Sequence, residues 1–266
     1  MNIGEKSEIC FKAYMLRQRD EGLKDTAFGG ITELSDDANL TDLKWNPSLQ
    51  KALDDNDGET LKEELGISKS NNKAKMDISI NNVKYSIKEI GPTAKDPAIV
   101  NHTPRPGFEK ACCRLDVPIT ELDNIIDKYW EMRKEKKLIM QDTKNSDNIC
   151  PFLEHEEYMK PIIEYFLFEG TGTGTSIIPA DAVLEIDYRR LPACIRIHDK
   201  QHCYDEIWPR LVFSVRSKGM PPRYPNCVDS ESIGKWTKKM GGKKGKAKKD
   251  KGSLHIRYKP EKFPND

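Results

Sequence analysis

Asp77 and Lys88 stand in two short runs in which apolar and polar residues alternate. Met76, Ile78 and Ile80 flank Asp77 and Ser79, while Val83, Tyr85 and Ile87 interleave with Lys84, Ser86 and Lys88. A period of two is the mark of a half-buried strand, and Asn81-Asn82 between the runs supplies a two-residue turn. In that register Ile80 faces Val83 and Asp77 faces Ser86. Pleating then predicts Asp77, Ser86 and Lys88 on one wet, charged face, with Ile78, Tyr85 and Ile87 turned to the core.

Phosphodiester hydrolysis needs a hard cation to offset charge on the phosphate, carboxylate oxygens to hold it, and a cationic group near the attacking water. Asp77 and Lys88 supply two of these. The same pair on a solvated hairpin is also an ordinary cross-strand ion pair, and spacing alone does not choose between the two.

The wider string KAKMDISINNVKYSIKEIGPTAKDPAIVNHT (73–103) carries more information. An Asp followed on the next strand by x-Lys resembles the core of the PD-(D/E)xK nuclease superfamily. The full string resembles HpaII-type restriction endonucleases, with an SDI-like strand, an FSIKS-like strand, a Gly and a segment like TLLNAS. The opening GEKSEICFKAYML is similar to the first helix of that family. The resemblance covers about the first hundred residues. It implies an α/β (α+β) restriction-endonuclease-like core, a mixed central sheet flanked by helices, and magnesium-dependent cutting of double-stranded DNA at a short specific site. It also implies a partner methyltransferase, and either a homodimer with two centres or a monomer acting twice.

Carried over by position, Asp77 becomes the metal-binding carboxylate and Lys88 the lysine that orients or activates water. The sequence departs from the superfamily at Ser86, where a Glu or Asp would normally precede the lysine by two residues. A hydroxyl is a weaker magnesium ligand than a carboxylate, so another acid is expected to compensate. Glu8 is the first choice, because related nucleases contribute a Glu from the leading helix; Glu5 is the reserve. Glu89 would serve only through a bulge that turns it to the face of Lys88. Against the metal role, Glu8 also has Lys12 one helical turn away as a surface ion-pair partner.

Around this hairpin the pattern predicts a helix over 5–20 with Ile9, Ala13 and Leu16 on one stripe, and helical patches at Pro47–Leu53 and Glu59–Leu65. A Pro- and Gly-rich loop is expected from Gly91 to Gly107. Helices follow at Ile119–Lys136, striped by Leu122, Ile125, Ile126 and Tyr129, and at Glu154–Leu167, where Pro161 kinks the helix or marks its first turn. Strands are expected at Ala182–Ile186, Ala193–Ile197, Arg210–Val215 and Ser253–Tyr258. The chain reads as one endonuclease domain over 1–266, with a catalytic half at 5–110 and a recognition half at 170–266.

Net charge is only +1, from 44 basic and 43 acidic residues, so bulk charge does not point to a polyanion. Its distribution does: nine lysines lie between Lys235 and Lys251 against the single acid Asp250. This Lys- and Gly-rich stretch is expected to form a mobile loop over 235–252 whose Lys243 and Lys244 contact phosphates, or else a solubilising loop. Arg216, Lys218, Arg223 and Asn226 have the donors for base edges, and the resemblance adds Asn101, His102 and Thr103 near the scissile phosphate. Seven cysteines without paired spacing read as reduced thiols, Cys112-Cys113 as small apolar packing, and the EGTGTGTS run at 169–176 as a turn. His198, His202 and Cys203 lack a second ligand pair for zinc. No apolar stretch approaches bilayer length, which predicts a cytoplasmic protein without membrane contact. Two other readings stay open: a repair or structure-specific nuclease on the same core, and a non-catalytic nucleic-acid-binding module.

Overall fold

Asn2 caps the first helix of the computed structural model, which describes residues 1–25, 27–91, 97–216, 236 and 253–263. The Asn2 side chain accepts the Glu5 N–H at 2.9 Å, and α1 (Ile3–Asp20) ends with Arg17 and Arg19 in its last turn, where cations complement the helix dipole. The chain continues through β1 (Leu34–Ser35), α2 (Gly58–Leu65), β2 (Ile78–Ile80), β3 (Val83–Glu89), β4 (Ala98–Asn101), α3 (Arg105–Leu115) and α4 (Ile119–Lys134). It then forms β5 (Thr143–Lys144), α5 (Glu156–Phe168), β6 (Ala182–Ile186), β7 (Ile195–Asp199), β8 (Leu211–Arg216) and β9 (Ser253–Tyr258).

The strands build a mixed central sheet and a second, antiparallel one. The central sheet has five strands in the order β7-β6-β3-β2-β1, with β6 parallel to β3 and the other pairs antiparallel. The second has four in the order β4-β9-β8-β5. The protein is therefore mixed α/β, with a mixed central sheet and flanking helices.

The hairpin forms as its sequence predicts. Ile78 pairs with Tyr85 and Ile80 with Val83, and Asn81 and Asn82 have φ of 48° and 68°, the left-handed pair that a tight two-residue turn demands and asparagine tolerates. Asn81 also ties the turn to the preceding loop, its Oδ1 accepting the Thr32 N–H at 2.9 Å and its Nδ2 donating to Gly30 O.

One face of the central sheet receives α1. Ile9, Phe11, Ala13 and Leu16 pack there on Ile78, Ile80, Tyr85, Leu184 and Ile186. A second core joins α3, α4 and α5 to the antiparallel sheet, with Phe108, Ile125, Ile163 and Phe166 against Phe213, Leu254 and Ile256, and Val183 of β6 reaches into it from the central sheet. The stripe residues Leu122, Ile125, Ile126 and Tyr129 are all fully buried.

The expected loop at 91–107 needs correction: it contains β4 and the first turn of α3. Pro104 caps that helix and Pro106 stands in its first turn, where a missing N–H costs nothing because those amides have no intrahelical acceptor. Prolines that read as loop thus open a helix. Gly107 is required there, since a Cβ on it would come within 2.3 Å of Thr103 Oγ1.

Smaller corrections follow the same logic. Pro161 lies inside α5 and does not mark its first turn. The strand expected from Ala193 starts at Ile195 and extends to Asp199, because it pairs with β6 along its whole length. Cys112 is buried while Cys113 is exposed, so only one of the two packs as an apolar side chain. The lysine-rich stretch lies outside the described residues except for Trp236, which is buried against Phe108 and donates to Asp123 Oδ1 at 3.0 Å. Among the described residues no helix is long and apolar enough to cross a membrane.

Candidate active site around Asp77 and Lys88

Just ahead of β2 the chain leaves the hairpin. The N–H groups of Lys75 and Met76 donate to Ile178 O at 3.0 and 3.2 Å, while the Asp77 N–H still donates to Tyr85 O at 2.8 Å. The Ile87 N–H would then lack an acceptor, and the Asp77 side chain supplies one: Oδ2 takes it at 2.7 Å. Ser86 Oγ lies 3.5 Å from the same oxygen, and Lys88 Nζ donates to Ser86 Oγ at 3.2 Å. Asp77, Ser86 and Lys88 therefore form one line across the hairpin, on the face the sequence assigns.

That face is more enclosed than expected. Ser86 is buried, Asp77 and Lys88 are only partly accessible, and the parallel neighbour of Ser86 is the core residue Val183. Enclosure sets the electrostatics. Burial raises the Asp77 carboxyl to about 6, and the Glu8 charge pushes the same way against Lys88, the Ile87 N–H and Lys75. Burial lowers the Lys88 ammonium below its ordinary value despite Asp77. Lys75 is depressed further, by burial and then by the charge of Lys88.

Sequence reasoning passed over Lys75. Strand alternation does not reach it, because the chain has left the hairpin at Lys75 and Met76; tertiary placement brings it near Asp77 and Lys88. Glu185, also passed over, pairs with Lys88 across the parallel strands. Its carboxylate lies 2.9 Å from Arg196 and 3.2 Å from His198; burial alone would raise it, yet His198, Arg210 and Tyr258 hold it below the ordinary range.

Glu8 departs from the picture of a helix-surface acid. It is 5% exposed, and its Oε1 accepts the Ser70 N–H at 2.7 Å and lies 2.9 Å from Lys12 Nζ. Lys12 is wholly buried and also donates to Asp36 Oδ2, Ser68 O and Ser70 Oγ, and that hydroxyl donates to Asp77 O at 2.8 Å. The Lys12 pair is real, but it fixes Glu8 within electrostatic reach of Asp77.

The reserve acids are placed elsewhere. Glu5 pairs with Lys62 at 2.8 Å. Glu89 continues a regular β3 without the required bulge, on the α1 face, where it accepts from Ser7 Oγ at 2.7 Å and Arg189 at 2.8 Å. Burial lifts its carboxyl to about 7.

The residues considered for DNA contact divide. His102 is exposed and its ring lies 5.6 Å from that of His255; Arg216 ends β8 and bonds Asp142 at 2.8 Å. Asn101 is buried at the end of β4. Thr103 is buried as well and donates its hydroxyl to Gly172 O at 3.0 Å, tying two loops together. Lys218, Arg223, Asn226, Lys243 and Lys244 lie outside the described residues. His198 contacts Glu185 and Glu206, and His202 contacts Asp199.

Among the described residues no group of three or more His, Cys, Asp or Glu is gathered for a metal ion. Magnesium asks for less, since it keeps several waters and commonly binds through one or two carboxylates plus substrate phosphate. Asp77 Oδ1 and Glu8 Oε2 carry no protein hydrogen bond among the described residues, whereas their sister oxygens are held. The donor set thus suits a hard cation of that kind. Comparison with protein-family models, curated proteins and solved structures finds no match for this chain.

Proposed function

We propose that this protein is a magnesium-dependent phosphodiesterase that cuts double-stranded DNA, built on a PD-(D/E)xK-like core. The observation that carries the reading is the line Asp77–Ser86–Lys88 on the hairpin, with the acid's pKa raised by burial and then by the charge of a second carboxylate, Glu8. A solvated cross-strand ion pair would not bury its serine, depress its lysine and lift its acid together.

Asp77 and Glu8 are the residues that would hold Mg²⁺, which when bound offsets charge on the phosphate and acidifies a coordinated water. Asp77 suits this role, because the Ile87 N–H fixes one oxygen and the other carries no protein hydrogen bond among the described residues. Lys88, steadied by Ser86, places a donor beside the attacking water and the non-bridging phosphate oxygens. Its lowered pKa eases release or uptake of a proton at Nζ. Lys75 adds a second amine to the same enclosed region, favouring an anionic substrate.

The restriction-endonuclease form of the reading, with a short specific target, a partner methyltransferase and a dimer or a twice-acting monomer, rests on the resemblance of residues 73–103. Plasmid incubated with the purified protein and magnesium tests it. Discrete fragments, lost in Asp77→Ala and in Lys88→Ala, are expected. Fragments that persist in both variants reject the site, and retardation of DNA without cleavage rejects the enzyme.

A further inference from the structure

The antiparallel sheet turns one face to the second core and leaves the other free of it. Register places Ser214 opposite His255, Arg216 opposite Ser253, and Val212 between Arg257 and Lys144, so these residues share the outer face. Phe213, Val215, Leu254 and Ile256 occupy the inner one.

The outer face is built from positive charge held close together. Arg216 and Arg257 both bond the same oxygen of Asp142 at 2.8 Å, so two guanidiniums share one carboxylate oxygen. Both also reach Ser214 Oγ, at 2.9 and 3.3 Å. Lys144 stands exposed on the neighbouring strand. His255 is fixed by Ser253 Oγ at 3.0 Å and faces His102. Burial, then the charges of Arg216, His102 and Arg257, push His255 down to about 4, against the opposing charge of Asp142.

One buried donor on this face is unmet: Arg257 is 8% exposed and its Nε has no hydrogen-bond partner among the described residues. Buried donors are rarely left without an acceptor, so an anionic ligand is the natural complement. Guanidinium forks match phosphate oxygens in particular. The chain that joins β8 to β9 is also the one that carries the nine lysines between Lys235 and Lys251.

We infer that this outer face, centred on Arg216, Arg257, His102 and Lys144, grips the phosphate backbone of duplex DNA. The inference rests on the proposed nuclease reading for the identity of its ligand. Here Asp142 acts as a positioning residue that holds the two arginines together until phosphate takes over their charge.

Fluorescence anisotropy with a short labelled DNA duplex in EDTA, where no cutting occurs, tests it across a salt series. The panel is wild type, His102→Ala/Arg216→Ala, Lys144→Glu and Asp77→Asn, with duplex RNA as competitor. Expected are a roughly tenfold or greater loss of affinity and a shallower salt dependence, by about one unit of log–log slope per phosphate contact removed, in the two face variants. Asp77→Asn, which removes a negative charge from the metal-free active site, should bind at least as tightly as wild type does. Should the double variant fail to fold, the exposed Lys144→Glu carries the test alone. Wild-type affinity in both face variants, no binding of duplex DNA by the wild type, or preference for duplex RNA overturns the inference. Loss of binding in the face variants while cleavage is indifferent to Asp77 and Lys88 sustains the face and rejects the active site. The converse pattern rejects the face alone.

Discussion

Lys88 Nζ donates to Ser86 Oγ at 3.2 Å, so the serine two residues before the lysine holds it in position. Ser86→Ala removes the only hydroxyl in the line to Asp77. A hydrogen bond to a charged group contributes about 1.5–3 kcal/mol, so kcat is expected to fall roughly 10- to 100-fold with KM little changed. Steady-state cleavage kinetics check this, and an unchanged kcat would remove Ser86 from the mechanism.

Asp77 illustrates a site that costs stability. Its folded-state carboxyl is raised to about 6 from an ordinary 3.8, so its contribution to stability is intact below about pH 4 and is lost as pH rises through 6. Asp77→Asn can still accept the Ile87 N–H while avoiding the buried charge. At pH 8 without divalent ions the variant should be more stable than wild type by on the order of 1–3 kcal/mol. Chemical denaturation at pH 4 and pH 8 measures the difference, which should vanish at the lower pH.

Magnesium should raise the melting temperature of the wild type, because an ion bound to the folded state alone stabilises it by mass action. Asp77→Asn and Glu8→Gln should each lose most of that rise. Scanning calorimetry with and without magnesium reads this independently of cleavage, and an equal rise in all three proteins would place the ion elsewhere.

Lys12 is buried among Glu8, Asp36, Ser68 and Ser70. Lys12→Met leaves two carboxylates without their cation. Breaking a buried charge pair in this way costs about 3–5 kcal/mol, and equilibrium unfolding should show a loss of that size.

Gly107→Ala should destabilise the protein by about 1–3 kcal/mol, because the added methyl meets Thr103 Oγ1 at 2.3 Å and must displace the bond to Gly172. Combining it with Thr103→Ala should recover part of the loss relative to the sum of the single changes. A strictly additive double variant would contradict the steric cause.

Much of the site's frame was legible because it is local. Alternation over 76–88 and the Asn81-Asn82 turn fix the hairpin register, and register fixes Asp77, Ser86 and Lys88 on one face. Lys75 lies ahead of the paired strand, so register does not place it. The first turn of α3 was misread, since Pro104, Pro106 and Gly107 carry the same composition in a loop and at a helix start, and only the neighbouring Thr103 and core residue Phe108 distinguish them.

The sequence by itself determined the alternating strands, the striped helices, the left-handed turn and the candidate acid and amine, all consequences of steric and hydrophobic rules that act over a few residues. Tertiary structure alone decided that β6 lies parallel beside β3, that α1 brings Glu8 to the end of β2, and that Ser86 is enclosed. Those outcomes depend on which distant apolar faces bury one another, and burial is also what shifts the protonation of Asp77, Lys88 and Lys75. A single strand carries the identity of its charges; their strength is set by the layers packed around them.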